Sequence, residues 1–181
     1  MKLLADAMLG RLAKWLRVAG YDTAYLADTD DFAVMRLARA EDRLVLTRDT
    51  ELAQRQGVRA LFINSEVLEE QVRQVYSDLG PPPEGAAARC PVCNRVLIQA
   101  DRDTVASRVP PYVLRTQEQF TLCTECDRVY WQGTHWEKME PLIQDVTAVK
   151  QTRKLRDAAG FDKMHEDSWD SEQRRSSTGT N

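Results

Sequence analysis

The sequence predicts an α/β chain: a parallel β-sheet with helices on both faces, followed by a small zinc-ribbon domain. Three observations predict it. Over the first 80 residues, short apolar runs alternate with segments of helical hydrophobic spacing. The stretch Gly80-Pro81-Pro82-Pro83-Glu84-Gly85-Ala86-Ala87-Ala88 then breaks that pattern, because three consecutive prolines cannot continue a helix and favour an extended linker. Beyond it stand the four cysteines of the chain, in two Cys-x-x-Cys pairs separated by 29 residues.

The elements follow in order. Lys2 to Ala5 is a short apolar run and a candidate first strand. Met8, Leu9, Leu12, Trp15, Leu16 and Ala19 recur at helical spacing, and Gly20 is placed to end that helix. Tyr21 to Ala27 reads as the second strand. Phe32 to Glu41 reads as the second helix, with Val34, Leu37 and Ala38 on one face. Arg43 to Thr47 is the third strand, Glu51 to Gln56 a short helix, and Val58 to Ile63 the fourth strand. Ser65 is a suitable N-cap for a last helix reaching Leu79, with Val67, Leu68, Val72 and Val75 turned inward. Such a βαβαβαβα order implies parallel strands joined by right-handed crossovers. The expected divisions are 1–80 for the α/β domain, 81–88 for the Pro/Ala-rich linker and 89–145 for the ribbon. Residues 146–181 form a C-terminal extension whose polar, Ser/Thr-rich end is expected to be disordered.

Composition narrows the class. With 43% hydrophobic and 29% charged residues, the chain has the balance of a soluble globular protein rather than a disordered one. No run of eighteen apolar residues exists, so no membrane-spanning helix is expected. Asp6 arrives too early for a signal peptide, which sets the expectation of a cytoplasmic protein with reduced cysteines. The net charge of −3 excludes a grossly basic coat for nucleic acid. It does not exclude nucleic acid as a substrate, since sites for divalent cations are locally acidic.

In a parallel sheet, ligands bind outside the carboxyl ends of the strands. Asp6 follows the first strand, Asp28, Asp30 and Asp31 the second, and Asp49 the third. Like charges gathered on one rim repel unless cations neutralise them, and hard ions such as Mg²⁺ or Mn²⁺ take carboxylate oxygens. Taken singly, each Asp reads as a helix N-cap; the coincidence of three is what points to metal. A haloacid-dehalogenase-type site would need a second Asp two residues after Asp6, where Met8 stands. Arg11, Lys14 and Arg17 follow at i, i+3 and i+6. Arg11 and Lys14 are candidate phosphate contacts, although a solvated helix face is the favoured reading of all three. Arg48 is placed either to touch phosphate or to pair with a neighbouring acid.

Cys90, Cys93, Cys123 and Cys126 predict a closed tetrahedral Cys₄ zinc site of structural type. His135 is a candidate RNA contact or proton shuttle, with packing beside the ribbon the favoured reading. Tyr130, Trp131 and Trp136 read first as core aromatics and second as base-stacking groups.

Several motifs together carry a resemblance. They are Met8-Leu9-Gly10-Arg11-Leu12-Ala13-Lys14-Trp15-Leu16-Arg17, Gly20-Tyr21-Asp22-Thr23, Leu46-Thr47-Arg48-Asp49, Arg89-Cys90-Pro91-Val92-Cys93-Asn94 and Tyr130-Trp131-Gln132-Gly133-Thr134-His135-Trp136. In order and spacing they resemble the Mut-seven C-terminal RNase domain family over about 1–141. The resemblance implies a PIN-like three-layer nuclease fold joined to a zinc ribbon. It further implies Mg²⁺- or Mn²⁺-dependent hydrolysis of RNA, with Asp6, Asp31 and Asp49 as the catalytic acids. Asp28, Asp30 and Glu51 are the additional candidates for that acid set. The rival expectation is a non-catalytic RNA- or protein-binding adaptor on the same fold.

Overall fold

The computed structural model describes residues 1–27 and 29–131. Four strands, β1 (Lys2–Ala5), β2 (Asp22–Tyr25), β3 (Arg43–Thr47) and β4 (Ala60–Phe62), form a parallel sheet in the order β2-β1-β3-β4. Lys2 stands opposite Asp22 on one side and Arg43 on the other, so β1, β2 and β3 start level. Their carboxyl ends therefore share one edge.

Each face is covered by the helices its side chains select. Leu3, Ala5, Leu46 and Ile63 point to one face. There they meet α1 (Gly10–Val18) through Leu12, Ala13 and Leu16, and α4 (Leu68–Leu79) through Val72, Val75 and Tyr76. Leu4 and Val45 point to the other face and meet Val34 and Ala38 of α2 (Asp31–Ala40) and Leu52 of α3 (Thr50–Gln54). Each fully buried Leu or Val contributes roughly 2 kcal/mol by leaving water. The alternation of Leu3 and Leu4 across the sheet thus fixes the register, because a one-residue slip would exchange the two cores.

Two helix starts differ from expectation. The first helix opens with a 3₁₀ turn at Ala7–Leu9 before α1 begins at Gly10. A side chain at Gly10 would bring its Cβ to 2.7 Å from the Tyr25 hydroxyl, which itself donates to the Ala7 carbonyl. Close approach, not conformational freedom, explains that glycine. The last helix starts at Leu68 rather than next to Ser65. The Ser65 hydroxyl instead accepts from the Val67 amide and donates to Glu70, which holds the chain in a turn ahead of the helix.

The second sheet is antiparallel, with β5 (Ile98–Ala100), β6 (Phe120–Cys123) and β7 (Arg128–Trp131) in the order β5-β6-β7. Phe120 of β6 packs with Val105 and Val109, beneath the short helices α5 (Arg102–Val105) and α6 (Pro111–Thr116). Side chains alternate across a strand, so Cys123 and Thr121 face the opposite side from Phe120. Between the two sheets, Ala86 and Ala87 lie against the Gly20 turn, where a Cβ would sit 3.2 Å from Ala86. Gly20 has φ +104°, which a side chain rarely tolerates. Among the described residues, no helix is long and apolar enough to cross a membrane.

The amino ends of the strands are bound by charge. Arg43 is buried and donates to the Leu3 carbonyl, to Asp22 at 2.8 Å and to Glu41 at 2.7 Å. Burial pushes the Asp22 carboxyl up. Hydrogen bonds from Arg43 and Asn94, with the charges of Arg43 and Arg89, outweigh that push and hold it below the ordinary carboxylate range. A depressed carboxyl contributes stability that is complete above its unfolded value of about 3.9 and is lost as pH falls through the folded value. Thermal unfolding of wild type and Asp22→Asn should therefore differ most near pH 6, and the gap should narrow as the pH falls below about 4. A gap independent of pH would contradict this role for Asp22.

Candidate functional site

The four cysteine sulfurs lie within 4.8 Å of one another and are not disulfide-bonded. Zinc–sulfur bonds of about 2.3 Å place the corners of a tetrahedron about 3.8 Å apart, so the cluster fits a closed structural zinc site. Two equivalent turns build it. Cys90-Pro91-Val92-Cys93 is followed by Asn94 at φ 67°, and Cys123-Thr124-Glu125-Cys126 by Asp127 at φ 53°. Asn and Asp are the side chains that best tolerate this left-handed conformation, so each Cys-x-x-Cys turn closes on a fitting residue. The Tyr130 hydroxyl lies 3.2 Å from the Cys90 sulfur. Burial pushes the Cys90 thiol up, but hydrogen bonds from Tyr130 and from backbone amides of its own turn prevail and bring it down to about 6. That favours a thiolate at Cys90, whereas burial pushes the Cys123 thiol up and hydrogen bonding with Cys93 pushes Cys126 up to about 12, so those two need the charge of a bound ion to lose their protons.

This Cys₄ module meets the parallel sheet through the side chains of Arg17 and Asn94, beside Arg89, whose amide donates to the Arg17 carbonyl at 2.9 Å and whose guanidinium lies 3.9 Å from Asp22. Arg17, expected on a solvated face, is only 6% exposed. Its guanidinium donates to the Thr23 carbonyl at 2.7 Å, to Pro91 at 2.8 Å and to Val92 at 3.2 Å. The spacing contains the reason. At 3.6 residues per turn, position i+6 lies roughly 240° round the helix from position i, so Arg17 does not share a face with Arg11. It joins Ala13 and Leu16 instead, while Arg11 and Lys14 remain exposed. Asn94 completes the joint, its amide oxygen accepting from the Thr23 amide at 3.1 Å and its nitrogen donating to Asp22 at 2.7 Å. Burial lowers the pKa of the Arg17 guanidinium, and the charges of Cys90, Cys93 and Asp22 pull it back up. A zinc ion on four thiolates leaves a doubly negative cluster beside this buried cation.

At the carboxyl edge of the parallel sheet, the expected acids have individual partners. Asp6 is buried; one carboxylate oxygen accepts from the Met8 amide at 3.0 Å, and the other accepts from the Thr47 hydroxyl. Asp49 caps α3, accepting from Glu51 at 2.7 Å and Leu52 at 3.1 Å. Asp30 caps α2 through the Ala33 amide, and Asp31 pairs with Arg55 at 3.0 Å. Glu51 lies exposed in the first turn of α3. Thr47 links two of these positions, because its hydroxyl donates to Asp6 and accepts from the Asp49 amide at 2.9 Å. Among the described residues, the cysteines are the one His/Cys/Asp/Glu group with donor atoms at metal-binding spacing. In this arrangement the acids do not form a ready Mg²⁺ or Mn²⁺ cage. Asp28 and His135, with Trp136 and the extension 146–181, lie outside the described residues.

Of the expected RNA contacts, Arg48 pairs with Glu66 at 2.7 Å. The partners that sequence reasoning missed are Asn94, Asp22, Thr47 and the inward turn of Arg17. The model of the Mut7-C RNAse domain family matches residues 1–143. The chain belongs to the Mut7-C RNAse domain family. No curated protein and no solved structure matches it. The match spans both sheets, so the Arg17 joint and the Cys₄ turns lie inside the matched region.

Metal analysis of this family member should find about one zinc per chain. Arg17→Met removes a donor from each of three carbonyls, and Arg17→Lys cannot reproduce a planar fork that reaches both β2 and the cysteine turn. Both should lose about 3 kcal/mol in urea unfolding and release zinc to a chelating indicator at least tenfold more readily. Unchanged zinc retention in both variants would contradict the joint.

Proposed function

We propose that this chain engages RNA as a binding domain, with its Cys₄ module held by zinc in a purely structural role. Family membership supports RNA as the target. The observation that carries the binding reading is the state of the acids. Asp6 and Asp49 are committed to helix starts, and Asp31 is committed to Arg55. Binding needs none of them to move. The exposed Arg11 and Lys14 of α1 then serve as phosphate contacts. Residues 1–80 and 89–145 act as two domains joined by 81–88. The location is the cytoplasm, where thiols persist as metal ligands.

One observation favours a second reading, metal-dependent hydrolysis on a PIN-like three-layer fold. Asp6 and Asp49 follow adjacent strands and share the Thr47 hydroxyl, while Asp31 follows the strand on the other side of β1. All three acids therefore stand at one edge. Hydrolysis with Mg²⁺ or Mn²⁺ requires Asp31 to leave Arg55 and Asp49 to turn from its cap.

A labelled single-stranded RNA separates the two. The binding reading predicts retention of RNA without added divalent metal and an intact strand after incubation with Mn²⁺. Cleavage by the wild type that is abolished in an Asp6→Asn, Asp49→Asn double variant would replace it with hydrolysis. Neither retention nor cleavage of the RNA under either condition would overturn both.

A further inference from the structure

Phe32 is the most exposed large apolar side chain of the described residues, at 74%. It stands in the first turn of α2, one residue beyond Asp31, so it projects at the carboxyl edge of the parallel sheet. The Arg55 guanidinium lies over the ring, 5.7 Å from the centroid. That guanidinium is itself held by Asp31 at 3.0 Å and lies 3.8 Å from the Met35 sulfur. Along α2, Phe32, Met35, Arg36 and Arg39 follow at i, i+3, i+4 and i+7, which is one stripe of a helix. Together with Asp30 and Ala33 they line a shallow open depression.

A lone exposed Phe needs no explanation. This one has a cation fixed behind its ring, two further arginines along the same stripe and an open depression beside it. The packing of α2 on the sheet is made by Val34 and Ala38, with Met35 and Leu37 against the same cluster, and Phe32 is not among them. An aromatic face backed by guanidinium and flanked by positive charge is complementary to one chemistry above others: an unpaired base with its phosphates.

Resting on the RNA reading above, we propose that Phe32 stacks on an unpaired base of single-stranded RNA, with Arg55 behind the ring and Arg36 toward the backbone phosphates. The base would lie beside Asp31, which brings the strand to the acidic edge. Duplex RNA offers no free base face and is not a ligand for this platform.

Fluorescence anisotropy of the full chain with a short labelled RNA, without added divalent metal, tests this. Phe32→Ala should weaken binding of the single strand about tenfold or more. Phe32→Trp should bind at least as tightly as the wild type. An abasic oligonucleotide of the same length should bind wild type and Phe32→Ala equally. Equal affinity of wild type and Phe32→Ala for the base-bearing single strand would overturn the stacking role while leaving RNA binding intact. An equal loss on the abasic strand would overturn it too, by showing that Phe32 acts without a base. Absence of binding by the wild type would remove the RNA reading and this proposal with it.

Discussion

The Arg17 guanidinium is the interaction on which the rest of the structure depends. It is a buried cation with carbonyl partners on two different parts of the chain: Thr23 in β2, and Pro91 and Val92 in the first cysteine turn. β2 is an edge strand of the parallel sheet, and an open edge leaves backbone groups unpaired. Arg17 takes the Thr23 carbonyl and Asn94 takes the Thr23 amide. The cysteine turn therefore finishes the edge of the first sheet. Asn94 can do this only because it stands in the left-handed conformation that ends the Cys-x-x-Cys turn. Metal geometry, turn geometry and sheet edge meet in two side chains. The cost of burying the Arg17 charge is offset by the thiolates of Cys90 and Cys93 and by the Asp22 carboxylate, with Arg43 placed to balance the last of these.

The opposite end of the same sheet is organised by a neutral group. Thr47 sits at the end of β3, buried, with its hydroxyl between the Asp6 carboxylate and the Asp49 amide. The acids that resemble a metal site are at present helix caps and an ion-pair partner. These roles are compatible in sequence because a carboxylate that follows a parallel strand also precedes a helix. The same position serves either backbone amides or cations. The two ends of the sheet thus divide the labour. The amino end, with Arg17, Asp22 and Arg43, secures the architecture. The carboxyl end carries Asp6, which is buried, and Asp31, Asp49 and Phe32, which reach the solvent where RNA would lie.

Much of this was legible in the sequence, and the exceptions have physical reasons. β1 and β3 were readable to the residue, because apolar runs bounded by polar groups leave little choice. The Cys₄ cluster followed from spacing alone, since two pairs supply a complete tetrahedron. Capping by Asp6 and Asp49 was readable as the plain alternative to metal binding. Arg17 was not, because a charged residue on an amphipathic helix is ordinarily solvated, and two of its three carbonyl partners, Pro91 and Val92, stand more than seventy positions away. Asn94 was hidden for the same reason. The onset of α4 was misplaced because Ser65 signals a turn and a helix start equally well, and here its hydroxyl makes the turn. Phe32 lay off the Val34–Ala38 face in the sequence pattern, which was the available sign of its exposure.

The cysteine turn closes the β2 edge through Arg17 and Asn94, and the amide of Thr23 reports on that closure directly. Its hydrogen-bond acceptor is the Asn94 side chain, and its exchange rate can be read in zinc-loaded and zinc-stripped protein. Stripping zinc should expose the Thr23 amide to rapid exchange while the amides of Leu4 and Val45, inside the sheet, stay protected. Protection of Thr23 that is the same with and without zinc would contradict it.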